Sequence, residues 1–151
     1  MVESLQQFIE LENMEAEILE LNGKTQTVSQ AASSLNTSEE NIIKSLVVEA
    51  DENFYLVVLR GKKRADLDKI KEVLEAESVE LASPKEVENV TGFSVGNVPP
   101  VGTGLDKLVD EKVVEKRTVY GGGGGRSKML KIDPRFIVDE NSVVREICEE
   151  K

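Results

Sequence analysis

Lys44 stands where a lysine is energetically awkward. It follows Ile42-Ile43 and precedes Ser45-Leu46-Val47-Val48, a pattern that reads as an apolar strand. On a strand its side chain projects to the same side as Leu46 and Val48. An ammonium at the mouth of an apolar hollow must meet an anion or reach out to water. A lysine favoured by the dipole of a preceding short helix fits the same pattern. A second candidate is the segment Gly92 to Gly104, GFSVGNVPPVGTG, with four glycines and two adjacent prolines in thirteen residues. Gly96 lets a ligand approach the backbone closely, and Pro99-Pro100 stiffens the chain behind it. A stiff loop with free N–H groups suits the stabilisation of developing negative charge; structural loops share this composition. The third candidate is Gly121 to Gly125 followed by Arg126-Ser127. It fails the spacing test for a phosphate loop, because counting back from Gly125 lands on Tyr120 and Arg126 stands at the lysine position. A flexible or bulged hairpin beside the site is the expectation there.

What is missing from the sequence narrows the chemistry further. There is no His and a single Cys, Cys148. Ser-His-Asp and Cys-His catalysis, His-ligated metals and cysteine-cluster sites are excluded. Cys148 reads as a small apolar filler near a strand end, since nothing nearby could act as its base. Any hydrolytic chemistry must therefore come from carboxylates, lysine, backbone groups or the substrate. No cofactor and no metal is expected.

The elements that must position these groups alternate between helical and strand patterns along 151 residues, the length of one domain. Helix signals occur at Ser4 to Asn13, Thr27-Val-Ser-Gln30, Thr37-Ser-Glu-Glu40, Asp66 to Ala76 and Ser83-Pro-Lys-Glu86, with Gly92 as a stop. Ala16 to Leu21 reads as a strand. Lys44–Ala50 and Phe54–Arg60 flank Asp51-Glu-Asn53 as a hairpin, and both strands are apolar on both parities, as strands covered on two faces are. Short strands are predicted at Leu105 to Val109, Thr118 to Tyr120, Met129 to Ile132 and Val143 to Ile147, with a one- or two-turn helix from Asp133-Pro134 through Val138. The expectation is a single α+β domain over residues 1–151, with a mixed, strongly curved sheet of six or seven strands and four to six short helices around it.

Net charge is −10, the wrong sign for a protein that grips nucleic acid along its length. The cations cluster at Arg60, Lys62, Lys63 and Arg64, and again near Arg126, so any nucleic-acid contact should be local. No apolar run approaches the ~20 residues of a membrane span, and MVESLQQFIE does not read as a signal peptide. A cytoplasmic location is the expectation, without membrane or DNA partners.

IIKSLVV, the later GFSVGNVPPVG, and the glycine-rich turn with LKIDPRFI, in that order and spacing, resemble the YbaK/ProX family. These are aminoacyl-tRNA deacylases related to the editing domain inserted in bacterial prolyl-tRNA synthetases. The resemblance covers nearly the whole chain and implies a YbaK-like fold. It implies that Lys44 is the essential lysine and that Gly96 and Pro100 end the family's GxxxP motif. Asn97, where many members have a second Gly, and Pro99, where a Ser is common, depart from it at positions that shape the amino-acid pocket. By the same resemblance, Leu46, Phe54, Val98 and Gly102 are substrate-binding candidates beside Asn97, Pro99 and Pro100. The implied reaction is ester hydrolysis of mischarged tRNA, with Ala- or Cys-tRNA(Pro) as the usual substrates, assisted by the substrate's own groups. The expected partners are the CCA end of tRNA, with weak contacts from Arg60 to Arg64 and Arg126, and prolyl-tRNA synthetase. The alternative is a non-catalytic module of this fold that binds aminoacyl-tRNA or a protein.

Overall fold

The computed structural model describes residues 4–21 and 27–150. Side-chain caps start most helices. Ser4 opens α1 (Leu5–Leu11), its Oγ accepting from the Gln7 N–H at 3.1 Å. After β1 (Ala16–Glu20), Thr27 opens α2 (Val28–Leu35) by accepting from the Gln30 N–H at 3.0 Å. The next signal yields only one 3-10 turn, Glu39–Asn41, and its cap is Ser38 rather than Thr37. Three residues separate that cap from Ile42, which already bridges to Tyr120, so a full helix has no room.

β2 (Ile43–Ala50) and β3 (Asn53–Arg60) form the expected hairpin. Its two turn residues, Asp51 and Glu52, both have positive φ, 47° and 75°, the hand that matches strand twist. Asp66 caps α3 (Leu67–Leu74), and Ser83 with Glu86 forms a reciprocal capping box on α4 (Pro84–Thr91), which ends at Gly92. Between them lies β4 (Val79–Leu81), a three-residue edge strand too short to show a period. β5 (Asp106–Asp110) runs directly into a one-turn helix, α5 (Glu111–Val114), also unforeseen. β6 (Val119–Gly122) and β7 (Lys128–Ile132) make the glycine-rich hairpin. A single 3-10 turn, Pro134–Phe136, replaces the longer helix expected there, and β8 (Ser142–Arg145) follows.

The mixed α+β class holds, but the strands form two sheets. One has three antiparallel strands in the order β1-β7-β6. The other has five, β4-β2-β3-β5-β8, in which β5 runs parallel to both neighbours. The sheets touch at the parallel bridge Ile42–Tyr120 and diverge beyond it. Strand periodicity carries no record of such a break, so a continuous sheet was the natural expectation.

Successive residues of β2 and β3 serve different cores. Val47, Leu56 and Val58 pack with Val109, Leu130 and Ile132 between the sheets, whereas Val48, Val57 and Leu59 pack with Ile70, Leu108 and Ile147 beneath α3. That two-sided burial is why both parities are apolar. Each such side chain contributes about 1.5–3 kcal/mol by leaving water.

Candidate functional site

Where the two sheets diverge, they leave a cavity of about 460 Å³, within the range of ligand sites. Its walls come from distant parts of the chain. β2 supplies Ile43 to Val47, α2 supplies Val28 and Ala31, and the glycine hairpin supplies Gly121, Gly122 and Met129. The far side is built from Leu81, Ala82 and Val87 with Val95, Gly96 and Val98. The lining is mostly apolar. The exposed side chains of Leu81 and Val95 stand on its rim, more than half accessible at 56% and 58%.

Lys44 and Gly96 line this same cavity. Lys44 is half-buried on the Leu46–Val48 face of β2, as strand alternation requires. Its ammonium has no carboxylate partner among the described residues. Burial is the main reason its pKa lies below the usual lysine value. Cys148 opposes that shift and Arg64 adds to it. The Cys148 contribution requires a thiolate, and burial together with Asp110 pushes that thiol up to about 11. Near neutral pH, burial and Arg64 therefore act on Lys44 in the same direction. Cys148 itself is buried and bridged to Ala65, a packing role.

The loop around Gly96 is braced from both ends. The Thr91 hydroxyl donates to the Val87 carbonyl at 2.6 Å and accepts from the Phe93 N–H at 3.0 Å. Asn97 Nδ2 donates to Ser94 Oγ at 2.8 Å, and the Asn97 carbonyl accepts from the Gly124 N–H at 3.0 Å. Gly96 has φ +90°, where glycine is the residue without strain. The glycine hairpin is the bed on which this loop lies: a Cβ on Gly122 would stand 2.4 Å from the Val98 carbonyl oxygen.

Of the residues singled out from sequence, Lys44, Leu46, Gly96 and Val98 line the cavity. Asn97, Pro99, Pro100 and Gly102 are not among its lining residues. Asn97 braces the loop, Pro99 and Pro100 are buried, and Gly102 packs against Phe8 and Leu5. Phe54 also lies elsewhere, because it pairs with Glu49 at the turn end of the hairpin, whereas the cavity opens at the other end of β2. Sequence reasoning did not single out Ser45, Val28, Ala31 or Val87. The helical spacing of Val28 and Ala31 marked them only as buried.

Charge is segregated along the same hairpin. Glu49, Asp51, Glu52, Glu77 and Glu80 surround a shallow depression at the turn end. Arg60, Lys62, Lys63 and Arg64 follow the opposite end of β3. Arg60 is paired with Glu40 at 3.1 Å and Lys62 with Glu39 at 3.3 Å. Lys63 and Arg64 have no carboxylate partner among the described residues, nor does Arg126 in the glycine hairpin. No group of acidic, His or Cys side chains among the described residues is arranged to hold a metal ion. Among those residues, no helix is long and apolar enough to cross a membrane.

A mixed α+β domain with a largely apolar cavity, a lysine without a carboxylate partner among the described residues at its wall and a braced glycine loop on the same cavity has the form of a small-ligand domain. Residues 23–139 match the aminoacyl-tRNA editing domain family, and the chain belongs to that family. It is 36% identical over 128 residues to a proline–tRNA ligase of Geobacillus sp. (strain WCH70), covering 82% of this chain and 23% of that one. Over 83 residues it is 41% identical to the proline–tRNA ligase of Geobacillus kaustophilus, covering 55% of this chain and 15% of the ligase. The chain therefore corresponds to less than a quarter of the length of these ligases. Among solved structures, it superposes on the hypothetical protein APE2540 with TM-score 0.88 and 34% identity, covering 96% of this chain and 99% of the other. It also superposes on a protein described as a candidate trans-editing enzyme for prolyl tRNA synthetase, with TM-score 0.85, 28% identity and 99% of both chains covered.

Proposed function

We propose that the protein is a trans-editing deacylase that hydrolyses the ester of mischarged aminoacyl-tRNA, with Ala- or Cys-tRNA(Pro) as substrate. The observation that carries this reading is the meeting of Lys44 and Gly96 on one cavity in a chain of the editing-domain family. An aminoacyl ester is already activated, so a chain without His can lower the remaining barrier by positioning and charge stabilisation. Lys44 holds the acceptor end through phosphate or carbonyl. Backbone donors of the Gly96 loop receive the charge that develops on the ester oxygen. A free ribose hydroxyl or the amino acid's own group assists the attacking water. Of the five cations expected to contact tRNA, Lys63, Arg64 and Arg126 have no carboxylate partner among the described residues, and these meet the phosphates of the CCA end, while prolyl-tRNA synthetase supplies the charged tRNA. The biological need is physical: a synthetase pocket separates side chains differing by one methylene by only ~1–3 kcal/mol.

The test is deacylation of Ala-tRNA(Pro) and Cys-tRNA(Pro) by wild-type protein and Lys44→Ala. Wild-type protein should release the amino acid, and Lys44→Ala should lose about 100-fold or more in rate while keeping its fold. Because the Lys44 pKa is lowered, the charged form is lost as pH rises, at a pH below that of a free lysine. Activity should fall over that interval, and Lys44→Arg should move the fall upward. Wild-type rates in folded Lys44→Ala would remove Lys44 from the mechanism.

A further inference from the structure

The edge of β2 is left unpaired inside the cavity. The Gly61 N–H donates to the Ile42 carbonyl at 2.7 Å, and the β2–β3 register runs unbroken from Ile43–Arg60 to Ala50–Asn53. In an antiparallel ladder, pairs that exchange hydrogen bonds alternate with pairs that do not. Lys44, Leu46 and Val48 therefore bond to β3, while Ile43, Ser45 and Val47 turn their N–H and C=O groups to the opposite edge. The Ala82 N–H, which donates to the Val47 carbonyl at 3.0 Å, lies on that opposite edge as this parity demands. β4 covers the edge only from Val48 to Ala50, and β6 meets it only at the Ile42–Tyr120 bridge. Ser45 lies between them and lines the cavity. Its N–H and C=O point the same way and have no strand partner among the described residues. The Ser45 hydroxyl is buried and also lacks a partner among them. Polar groups held in a largely apolar wall call for a ligand that satisfies them.

We propose that the main chain of Ser45 binds the main-chain atoms of the aminoacyl group, as a strand addition one residue long. This rests on the deacylase reading and names how that site holds its substrate. The Ser45 N–H donates to the ester carbonyl oxygen, and the Ser45 carbonyl accepts from the α-ammonium. An α-aminoacyl ester carries its donor and acceptor with the spacing of one strand residue, so it exchanges both bonds as a neighbouring strand would. The opening suits a short occupant. Between the Tyr120 bridge and the Ala82–Val47 bond, Ser45 is the outward-turned residue at the middle of the gap, with no ladder partner among the described residues on that edge. The arrangement recognises what all amino acids share, and leaves sorting of side chains to the walls formed by Val28, Ala31 and Val98.

The test removes one N–H. Ser45→Pro deletes the donor that faces the cavity and leaves the bonds to β3 intact, a placement that edge strands tolerate. With Ala-tRNA(Pro) as probe, kcat/KM of Ser45→Pro should fall at least ~10-fold below that of Ser45→Ala, which keeps the N–H. Equal rates in two folded variants would overturn the proposal. Should Ser45→Pro not fold, the substrate provides the second arm. Propionyl-tRNA(Pro) lacks the α-ammonium, and its enzymatic rate, divided by its spontaneous hydrolysis rate, should be ~10-fold below the same ratio for Ala-tRNA(Pro). Equal ratios would overturn the proposal there. Wild-type protein inert toward both Ala- and Cys-tRNA(Pro) would overturn the deacylase reading itself. Full wild-type activity with an unaffected Ser45→Pro variant would overturn only the edge contact.

Discussion

The protein has two glycine-rich segments, and they need glycine for opposite reasons. In the Gly92–Gly104 loop, a Cβ on Gly96 would meet nothing within 4 Å, so space is free and only the backbone angle, φ +90°, demands glycine. In the hairpin, Gly122 shows no such φ, but a Cβ there would drive into the Val98 carbonyl at 2.4 Å. One glycine shapes a loop, and the other is the surface on which that loop rests. Similar composition thus conceals a conformational requirement in one place and a steric one in the other. Gly122 lets the loop lie close, whereas Gly123 answers to its own hairpin, where a Cβ would stand 2.6 Å from the Lys128 carbonyl carbon.

This contrast is open to direct attack. The largest effect is expected from Gly122→Ala. Overpacking against backbone costs about 1–3 kcal/mol, which lowers Tm by roughly 3–10 °C for a chain of this size. Because the displaced group is Val98 in the cavity wall, deacylation should also fall ~10-fold or more. Unchanged melting and activity would show that the hairpin does not set the loop's position. Gly96→Ala should cost less, roughly 1–2 kcal/mol for the left-handed backbone, read as a smaller drop in Tm. A larger thermal loss in Gly96→Ala than in Gly122→Ala would reverse the comparison. The smallest effect belongs to the side-chain brace within the loop. Asn97→Ala removes the 2.8 Å bond to Ser94 Oγ but keeps the backbone bond to Gly124. It should cost about 0.5–1.5 kcal/mol, and a fall in activity as large as that of Gly122→Ala would mean that the side chain meets substrate instead.

Local signals were legible where a residue's partner lies within one turn. Ser83 and Glu86 find each other three residues apart, as do Thr27 and Gln30, and both caps occur where the sequence places them. Two-sided burial of β2 and β3 was legible from their doubled apolar parity. The short elements were not: β4 has three residues and α5 four, fewer than a period needs in order to repeat. Phe54 looked like a pocket residue because it belongs to the strand beside Lys44, but antiparallel pairing carries it to the opposite end, against Glu49. Arg60 and Lys62 looked as free as Arg64 until Glu40 and Glu39, more than twenty positions away for Lys62, were brought alongside them.

Sequence alone determined most of the caps, the alternation of the strands, and the presence of one lysine in an apolar run with no imidazole to assist it. These follow from covalent neighbours and short-range sterics, which any chain carries in its order of residues. Tertiary structure alone decided that Lys44 and Gly96 share a wall, that Gly122 underlies Val98, and that the edge at Ser45 stays open. Each of those depends on where two sheets part and where β4 and β6 stop, a balance of packing among residues scattered from Val28 to Met129.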